Sequence, residues 1–297
     1  MKVSQTVFEG LRAVEIVTDD MRLVAITEFG PRIAFFGKPE GENLLLWKPG
    51  KYGRGDWDLR GGHRVWMTRP GADECEDTYA TDNEPCDIAL FGNGFCLTGA
   101  VNPSNLTRRG MTVKLLGSSS VQVDNFVINA GDMLYSGGLW GLTCSLPTKG
   151  TRYAIPIGDG SCWDAFTMVS FREWAGHGAG GFNDSQIQVT DDMILITPKG
   201  VENKRMVQAH PGIIAMSDPV NDVTFAKKVV FNRAGTYPLN TNIAFYIGPD
   251  NFMVEMETMG PEVTLKPGED LIHRETWVLK DGALPFDSAE TVKNLFQ

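Results

Sequence analysis

The sequence has no long hydrophobic run and no excess of basic residues. Its 297 residues include no stretch of 18 apolar residues, and the first ten, MKVSQTVFEG, have no apolar segment of the kind found in signal peptides. We therefore expect a cytoplasmic protein without a membrane span. Acidic residues outnumber basic ones by 37 to 27, which gives a formal net charge of -10 at pH 7. Such a charge disfavours nucleic acid and anionic membranes as partners, and it leaves the oligomeric state open.

Cysteine is scarce, and the common cofactor motifs are missing. The five cysteines form no CxxC pair and no metal-type spacing, so we expect reduced thiols. The acidic run Asp73–Asp77 is either a solvated surface or a calcium site. The sequence has no GxGxxG, P-loop, GxSxG or HExxH motif. Dinucleotide, phosphoryl-transfer and serine-hydrolase chemistry therefore have no support, and we expect neither a cofactor nor a metal.

Turn residues recur throughout and predict an all-β chain. The sequence contains 33 Gly and 16 Pro, and short apolar runs alternate with turn signals. At a spacing of about ten residues, this pattern predicts about fifteen short strands in a large antiparallel β-sandwich, with residues 1–297 forming a single domain. Near the end, Asp287 followed by Glu290 predicts a short C-terminal helix with a capping box.

The strand boundaries follow from the apolar runs. Asp56 to Arg69 has no clean period and is predicted to be a recognition loop or an irregular strand start, and Gly150 to Gly181 is predicted to form long loops. In the strand Ser120–Asn129 the apolar phase shifts between Val123 and Phe126, which indicates a bulge or burial on both faces. The other predicted strands before residue 250 are Ala13–Val17, Leu23–Thr27, Ile33–Phe36, Leu44–Trp47, Cys86–Phe91, Gly94–Ala100, Gly110–Leu116, Tyr135–Ser145, Ile187–Val189, Met193–Thr197, Ile213–Ser217, Val223–Phe231 and Asn242–Ile247.

The strand predicted at Phe252–Thr258 places two carboxylates side by side. Its residues alternate between apolar and polar, so Glu255 and Glu257 leave the same face. Two neighbouring carboxylates raise one pKa toward the range of a general base. Alternatively, both hold basic side chains such as Lys227 or Arg205 in a structural network. Two further strands are predicted after Gly260-Pro261, at Val263–Leu265 and Leu271–Val278.

The segment Gly61–Trp66, GGHRVW, is the densest group of candidate functional residues. His63 is one of four histidines, and its ordinary pKa of about 6.5 suits proton transfer. Arg64 offers a planar fork for hydroxyl or carboxylate oxygens. Trp66 has an apolar face of the kind that stacks on a sugar ring, and the paired glycines let the backbone approach a ligand. The alternative is a packed turn with a salt-bridged arginine.

Four further side chains are candidates for binding a substrate. Arg32, at the start of a predicted strand, would be costly to bury unpaired, so it binds either an anionic or hydroxylated ligand or one of the glutamates. Trp140 lies among glycines and is either a core residue or a ligand platform. Lys227 and Lys228 alternate along a strand, so only one can face a pocket, and we favour Lys227. Asp82 is either a turn residue or a ligand.

Six segments in order resemble the galactose-mutarotase-like superfamily. They are GPRI (Gly30–Ile33), GGHRVW (Gly61–Trp66), the loop Tyr79–Pro85, GLWGLT (Gly138–Thr143), METMGPEVTLKPGE (Met256–Glu269) and HRETW (His273–Trp277). The resemblance extends from about Leu11 to Leu279, and it looks closest to the DUF4380 proteins, whose function is uncharacterised. It implies a β-sandwich of many antiparallel strands with a sugar-binding concave face, no cofactor, and a small sugar or oligosaccharide as partner.

The resemblance also implies roles for individual residues. Aldose 1-epimerases of this superfamily carry a catalytic glutamate on a late strand before a Pro-Asp turn. The segment Met256–Glu262 is similar, so Glu257 is implied as the base, with Glu255 as the alternative register. Those enzymes take a histidine acid from an Asn-His-aromatic segment, but the comparable place here holds Trp140 and no histidine. His63 would then supply the acid from a different strand.

Residues and resemblance together predict acid/base chemistry on a monosaccharide or a sugar acid. In this hypothesis Arg32 and Arg64 hold substrate oxygens, and Trp66 or Trp140 supplies a stacking face. Two other classes stay open. One is a lyase acting on a uronic acid or keto-sugar, in which an arginine or lysine stabilises an enolate. The other is a non-catalytic carbohydrate-binding protein.

Overall fold

The fold comes from a computed structural model that describes residues 2–48, 59–68, 81–158 and 183–297 and the backbone of 169–171. In these ranges the chain forms 21 strands and one short α-helix. The strands build two antiparallel sheets, which confirms the predicted β-sandwich with its short C-terminal helix. None of the helices in these ranges is long and apolar enough to cross a membrane.

The first sheet contains the strands that position the candidate site. Its strands lie in the order β1-β2-β3-β4-β5-β10-β19-β18-β15-β12, and β20 pairs with the first three residues of β10. The strands β5, β10 and β19 are therefore central. The bounds are β1 Lys2–Phe8, β2 Leu11–Val17, β3 Arg22–Ile26, β4 Arg32–Gly37, β5 Gly62–Thr68, β10 Tyr135–Ser145, β12 Val169–Phe171, β15 Asn203–Val207, β18 Ile243–Ile247, β19 Val254–Met259 and β20 Val263–Leu265.

The second sheet packs against one face of the first. Its strands lie in the order β13-β14-β11-β16-β17-β21-β9-β8-β7-β6. The bounds are β6 Asp87–Phe91, β7 Gly94–Val101, β8 Thr107–Gly117, β9 Ser120–Asn129, β11 Arg152–Pro156, β13 Ile187–Val189, β14 Met193–Ile196, β16 Ile213–Asp218, β17 Val223–Val229 and β21 Asp270–Asp281.

The main hydrophobic core lies between the sheets. Phe36 from the first sheet packs on Phe225 and Trp277 from the second, with ring centroids 4.8 and 5.3 Å away. All three rings are completely buried, and burying a side chain of this size contributes about 1.5–3 kcal/mol. A smaller cluster covers the outer face of the second sheet, where α1 packs Val292 close to Ile213. The core thus holds the two sheets together.

The C-terminal helix begins one residue later than predicted. The helix α1 spans Ala289–Lys293, and Ser288 rather than Asp287 is its N-cap. The Ser288 hydroxyl accepts a hydrogen bond from the backbone N–H of Thr291 at 3.3 Å. Both residue types cap helices well, so the local pattern could not separate the two positions.

The shift in the apolar pattern of β9 is explained by burial of both faces of the strand. The strand pairs with β21 without a register shift. Asn125 takes the inward position that the apolar pattern skipped, and Asp124 is buried on the opposite face. Phe126 lies on the same outer face as Asp124. A polar residue therefore points into the core at Asn125, where it meets His63.

The segment predicted as a recognition loop or an irregular strand start contains a central strand, β5. Its start requires glycine, because Gly61 and Gly62 have φ values of 79° and 72°. A Cβ on these residues would lie 2.1 Å from the carbonyl oxygen of Leu46 and 2.3 Å from that of Ile33. The paired glycines thus let neighbouring backbone approach, and the approach of a ligand to them stays a prediction. The flanking residues 49–58 and 69–80, and most of the predicted loops at 150–181, lie outside the described residues.

Candidate functional site

Six of the predicted side chains share one face of the first sheet. The register places Leu142 of β10 between Arg64 of β5 and Glu257 of β19, and Arg32 of β4 lies beside Arg64. Trp140 is likewise paired with Trp66. Because side chains alternate along a strand, these residues leave the sheet on the side away from the second sheet. We call this surface the charged face, defined by Arg32, Arg64, Trp66, Trp140, Glu255 and Glu257 with Lys204 and Asp82.

Glu257 lies at the centre of the charged face and is completely buried. The indole Nε1 of Trp140 donates to its Oε2 at 2.9 Å, and Lys204 Nζ on β15 contacts both carboxylate oxygens, with 2.6 Å to Oε2. Burial raises the pKa of Glu257 to about 7, against the opposing charge of Lys204 and with the repulsion of Glu255. A carboxyl group that titrates near neutrality can both accept and release a proton at that pH.

Glu255 is the second carboxylate of the face and has different partners. Arg64 Nη2 lies 3.7 Å from its Oε1, and the Cys144 thiol donates to the same oxygen at 3.6 Å. The Arg64 guanidinium also lies over the ring of Trp66, 4.2 Å from the centroid. This cation–π contact and the nearby carboxylate stabilise the arginine away from water.

Asp82, from the loop before β6, anchors the opposite end of the face. Its Oδ2 accepts a hydrogen bond from Trp66 Nε1 at 2.7 Å. Two arginines lie near it, with Arg32 Nη2 at 3.7 Å and Arg109 Nη2 at 3.6 Å. Burial lowers the pKa of Arg32 to about 10, although the charge of Asp82 opposes that shift. The Asp82 carboxylate therefore lies within ion-pair distance of two guanidinium groups.

The two tryptophans of the face support its carboxylates. The rings of Trp66 and Trp140 meet edge to face, with centroids 5.7 Å apart. Both are buried, and each indole N–H donates to an acid, Trp66 to Asp82 and Trp140 to Glu257. A buried indole usually finds such a partner for its N–H. Stacking of either ring on a sugar stays a prediction.

His63 does not lie on the charged face, which corrects its expected placement beside Glu257. It precedes Arg64 on β5, so it points toward the second sheet. Its Nδ1 lies 2.9 Å from Thr143 Oγ1 and its Nε2 lies 3.0 Å from Asn125 Oδ1. Burial lowers the pKa of His63 to about 4. A neutral imidazole is therefore held in the interior of the sandwich.

Lys227 is also behind the charged face and not on it. Its Nζ lies 2.8 Å from Glu275 Oε1 and donates to the carbonyl oxygen of Met256 at 3.1 Å. Glu275 also accepts from Trp277 Nε1 at 2.8 Å. Burial by itself raises the pKa of Glu275, but the charges of Lys227 and two histidines outweigh it and leave the pKa at about 2. The ion pair thus lies directly beneath the strand that carries Glu255 and Glu257.

These interior groups form the inter-sheet cluster, defined by His63, Asn125, Thr143, Lys227, His273 and Glu275. It fits between the sheets because Gly141 of β10 has no side chain. A Cβ on Gly141 would lie 2.6 Å from Glu275 Oε1 and 3.1 Å from Thr258 Oγ1. The missing side chain lets the Glu275 carboxylate from the second sheet reach Thr258 on the first.

Lys204 is the main site residue that sequence reasoning missed. The notable basic candidate there was Arg205, but Lys204 is the residue that contacts Glu257. Recognising β15 as a strand would have placed Lys204 and Met206 on one face, in register with Tyr246 and Ala244 of β18. No strand was predicted over residues 203–207, because this segment is mostly polar.

Among the described residues, no group of three or more His, Cys, Asp or Glu side chains is arranged to hold a metal ion. The acidic run Asp73–Asp77 lies outside the described part of the chain. Of the five cysteines, Cys86, Cys96 and Cys144 are described, and they are free thiols. Burial raises the pKa of the Cys144 thiol, beside Glu255, to about 12. Cys144 is therefore a neutral donor on the charged face.

Comparison with known proteins identifies the fold. No protein-family model matches the sequence, and no curated protein matches it. A proposed aldose 1-epimerase from Escherichia coli K12 superposes with a TM-score of 0.61 at 12% identity, over 94% of this chain and 100% of that one. A galactose mutarotase-like protein from Lactobacillus casei ATCC 334 gives 0.59 at 9% identity, over 90% and 99%.

A longer protein contains the same fold. A TPR-domain containing protein from Parabacteroides distasonis ATCC 8503 superposes with a TM-score of 0.61 at 15% identity. The match covers 92% of this chain and only 48% of that one, so the chain spans about half of that protein. The chain therefore has the galactose mutarotase-like β-sandwich fold. At these identities the likeness establishes the fold alone.

Proposed function

We propose that the protein performs acid/base chemistry on a monosaccharide or sugar acid, in the manner of an aldose 1-epimerase. The observation that carries the proposal is Glu257, a buried carboxyl group with a pKa raised to about 7. It lies between Trp140 and Lys204 on the outer face of a mutarotase-like sandwich. The E. coli and L. casei proteins support a carbohydrate substrate through their names. A cytoplasmic location and a relationship to the DUF4380 proteins are part of the proposal, the latter resting on the six ordered segments.

In the proposed reaction, ionised Glu257 removes the proton from the anomeric hydroxyl of a closed sugar. The bond between the anomeric carbon and the ring oxygen breaks, and the ring oxygen takes a proton from an acid. We assign that acid to Lys204, because His63 faces the second sheet and an arginine does not release its proton readily. Rotation of the aldehyde and closure of the ring by the reverse steps give the other anomer. Positioned groups of this kind contribute about 10²–10⁴-fold each.

A lyase is the second candidate, and one contact favours it. Arg64 Nη2 lies 3.7 Å from Glu255 Oε1, so a guanidinium and a carboxylate are available side by side. In an eliminating enzyme the carboxylate removes the proton next to a carboxylate or keto group, and the guanidinium stabilises the resulting enolate. Its substrate would be a uronic acid or a keto-sugar.

Exchange NMR on a panel of reducing sugars and sugar acids tests the proposal. We expect accelerated anomer exchange for at least one of them, with no new double bond in the absorbance spectrum. Glu257→Gln should abolish exchange and preserve binding, while the matched variant Glu255→Gln should keep measurable exchange. Full activity in Glu257→Gln would remove Glu257 as the base. Double-bond formation would indicate the lyase, and binding without either reaction would indicate a carbohydrate-binding protein.

A further inference from the structure

One side of the Arg32 guanidinium group makes no hydrogen bond to the described residues. The residue is completely buried, and its Nη1 donates to the carbonyl oxygens of Leu59 at 3.2 Å and Gly61 at 2.7 Å. Its Nε and Nη2 form no hydrogen bond in the described part of the chain. In a planar guanidinium the Nε–H and one Nη2–H point in the same direction. The Nε–H and Nη2–H groups of Arg32 therefore form one edge that can donate two parallel hydrogen bonds.

Among the described residues, no free acid faces that edge. The nearest described carboxylate, Asp82, is 3.7 Å from Nη2, which is too long for a hydrogen bond. It is already held by Trp66 at 2.7 Å and lies 3.6 Å from Arg109. A buried charged donor without a partner is costly, so such an arrangement is rare unless a ligand completes it.

Arg32 lies in the same row of paired residues across the sheet as the proposed base, Glu257. Arg32, Arg64, Leu142 and Glu257 are direct neighbours across β4, β5, β10 and β19. At about 4.8 Å per strand, the Cα atoms of Arg32 and Glu257 are about 14 Å apart. Two long side chains and a single sugar ring can bridge that span, with the apolar Leu142 between them.

We propose that the substrate is a sugar acid and that the Nε–Nη2 edge of Arg32 binds both oxygens of its carboxylate. This inference rests on the proposed function and narrows its substrate class to monosaccharides with a carboxylate, such as hexuronic acids. A carboxylate presents two coplanar oxygens that match two parallel N–H groups, whereas a hydroxyl group offers one oxygen.

Binding to the Glu257→Gln variant, which should not turn the substrate over, tests the inference. Dissociation constants would be measured by NMR titration at fixed ionic strength for glucuronate, galacturonate, glucose, galactose and glucose 6-phosphate. We expect each uronate to bind about 10- to 100-fold more tightly than the neutral sugar of the same configuration. Equal affinity for acid and neutral sugars, or tighter binding of the phosphate ester than of the uronates, would overturn it.

Variants of Arg32 supply the second arm. Arg32→Lys keeps a positive charge and loses the two-pronged edge, so most of the preference for uronates should disappear. Arg22→Gln is the matched control, because Arg22 lies on the neighbouring β3 and pairs with Glu15 at 3.1 Å. It should leave the preference unchanged. If Arg32→Lys does not fold, the sugar panel decides by itself.

The outcomes separate this inference from the proposed function. Anomer exchange of neutral sugars with no preference for acids would overturn the inference and retain the function. Failure of every sugar to bind would overturn both.

Discussion

Lowering the pH from 7 to 5 should destabilise the fold, and two buried histidines should cause most of the effect. Burial lowers the pKa of His63 and of His273 to about 4 in the folded protein. In the unfolded chain each has a pKa of about 6.5. Below pH 6.5 the unfolded chain therefore binds two protons that the folded chain does not, and the free energy of unfolding decreases as the pH falls.

Glu257 acts in the opposite direction. Its pKa in the folded protein is about 7, above the ordinary value of 4.5. Between these values the folded chain keeps a proton that the unfolded chain has released, so this group lowers stability as the pH rises. Two protons taken up by the unfolded chain and one kept by the folded chain leave a net difference of about one. That difference gives a slope of about 1.4 kcal/mol per pH unit near pH 5.5.

Urea unfolding at closely spaced pH values between 5 and 7 measures this slope. In Glu257→Gln the opposing proton is absent, so the slope should rise to about twice the wild-type value. In His63→Gln one of the two histidine protons is absent, so the slope should fall close to zero, and His273→Gln should match it. A flat wild-type profile, or a slope unchanged in Glu257→Gln, would refute the reasoning.

Three further perturbations test separate contacts. Lys227→Met should lower the free energy of unfolding by about 3–5 kcal/mol, because Glu275 stays buried without its cation; a second change, Glu275→Gln, should recover part of the loss, and no loss in the single variant would contradict the buried ion pair. Trp140→Phe removes a hydrogen bond that favours ionised Glu257, so the acidic limb of the pH–rate profile should move to higher pH. An unmoved limb would show that another group titrates. Ser288→Ala should cost about 1 kcal/mol in thermal unfolding, and an unchanged melting temperature would exclude Ser288 as the helix cap.

Local periodicity was enough to place the two glutamates together. Glu255 and Glu257 share a face because side chains alternate along any strand, whatever the strand packs against. The same rule failed for His63, because it does not say which face points toward the second sheet. All seven residues of β5 are buried, so the strand lacks the contrast between apolar and polar faces that marks the inward side. Only the pairing with β4 and β10 settles the direction.

The contact between Lys204 and Glu257 was missed because the strand β15 was not predicted. The strand β15, NKRMV, is mostly polar and reads as a connection, yet all five residues are buried. Lys204 is tolerated there because Glu257 is two strands away, a partner 53 positions later in the chain. Sequence patterns report burial through apolar residues. They cannot report a buried lysine whose compensating charge comes from a distant segment.

Gly141 has no functional group, yet it decides how closely the Glu275 carboxylate approaches the first sheet beneath the proposed base. Its empty side toward the second sheet is the space that the Glu275 carboxylate fills. Even a methyl group there would push that carboxylate away, and Lys227 and the Met256 carbonyl would have to shift with it. A mutational survey confined to chemically active side chains would overlook this position, although the placement of the Glu275 carboxylate depends on it.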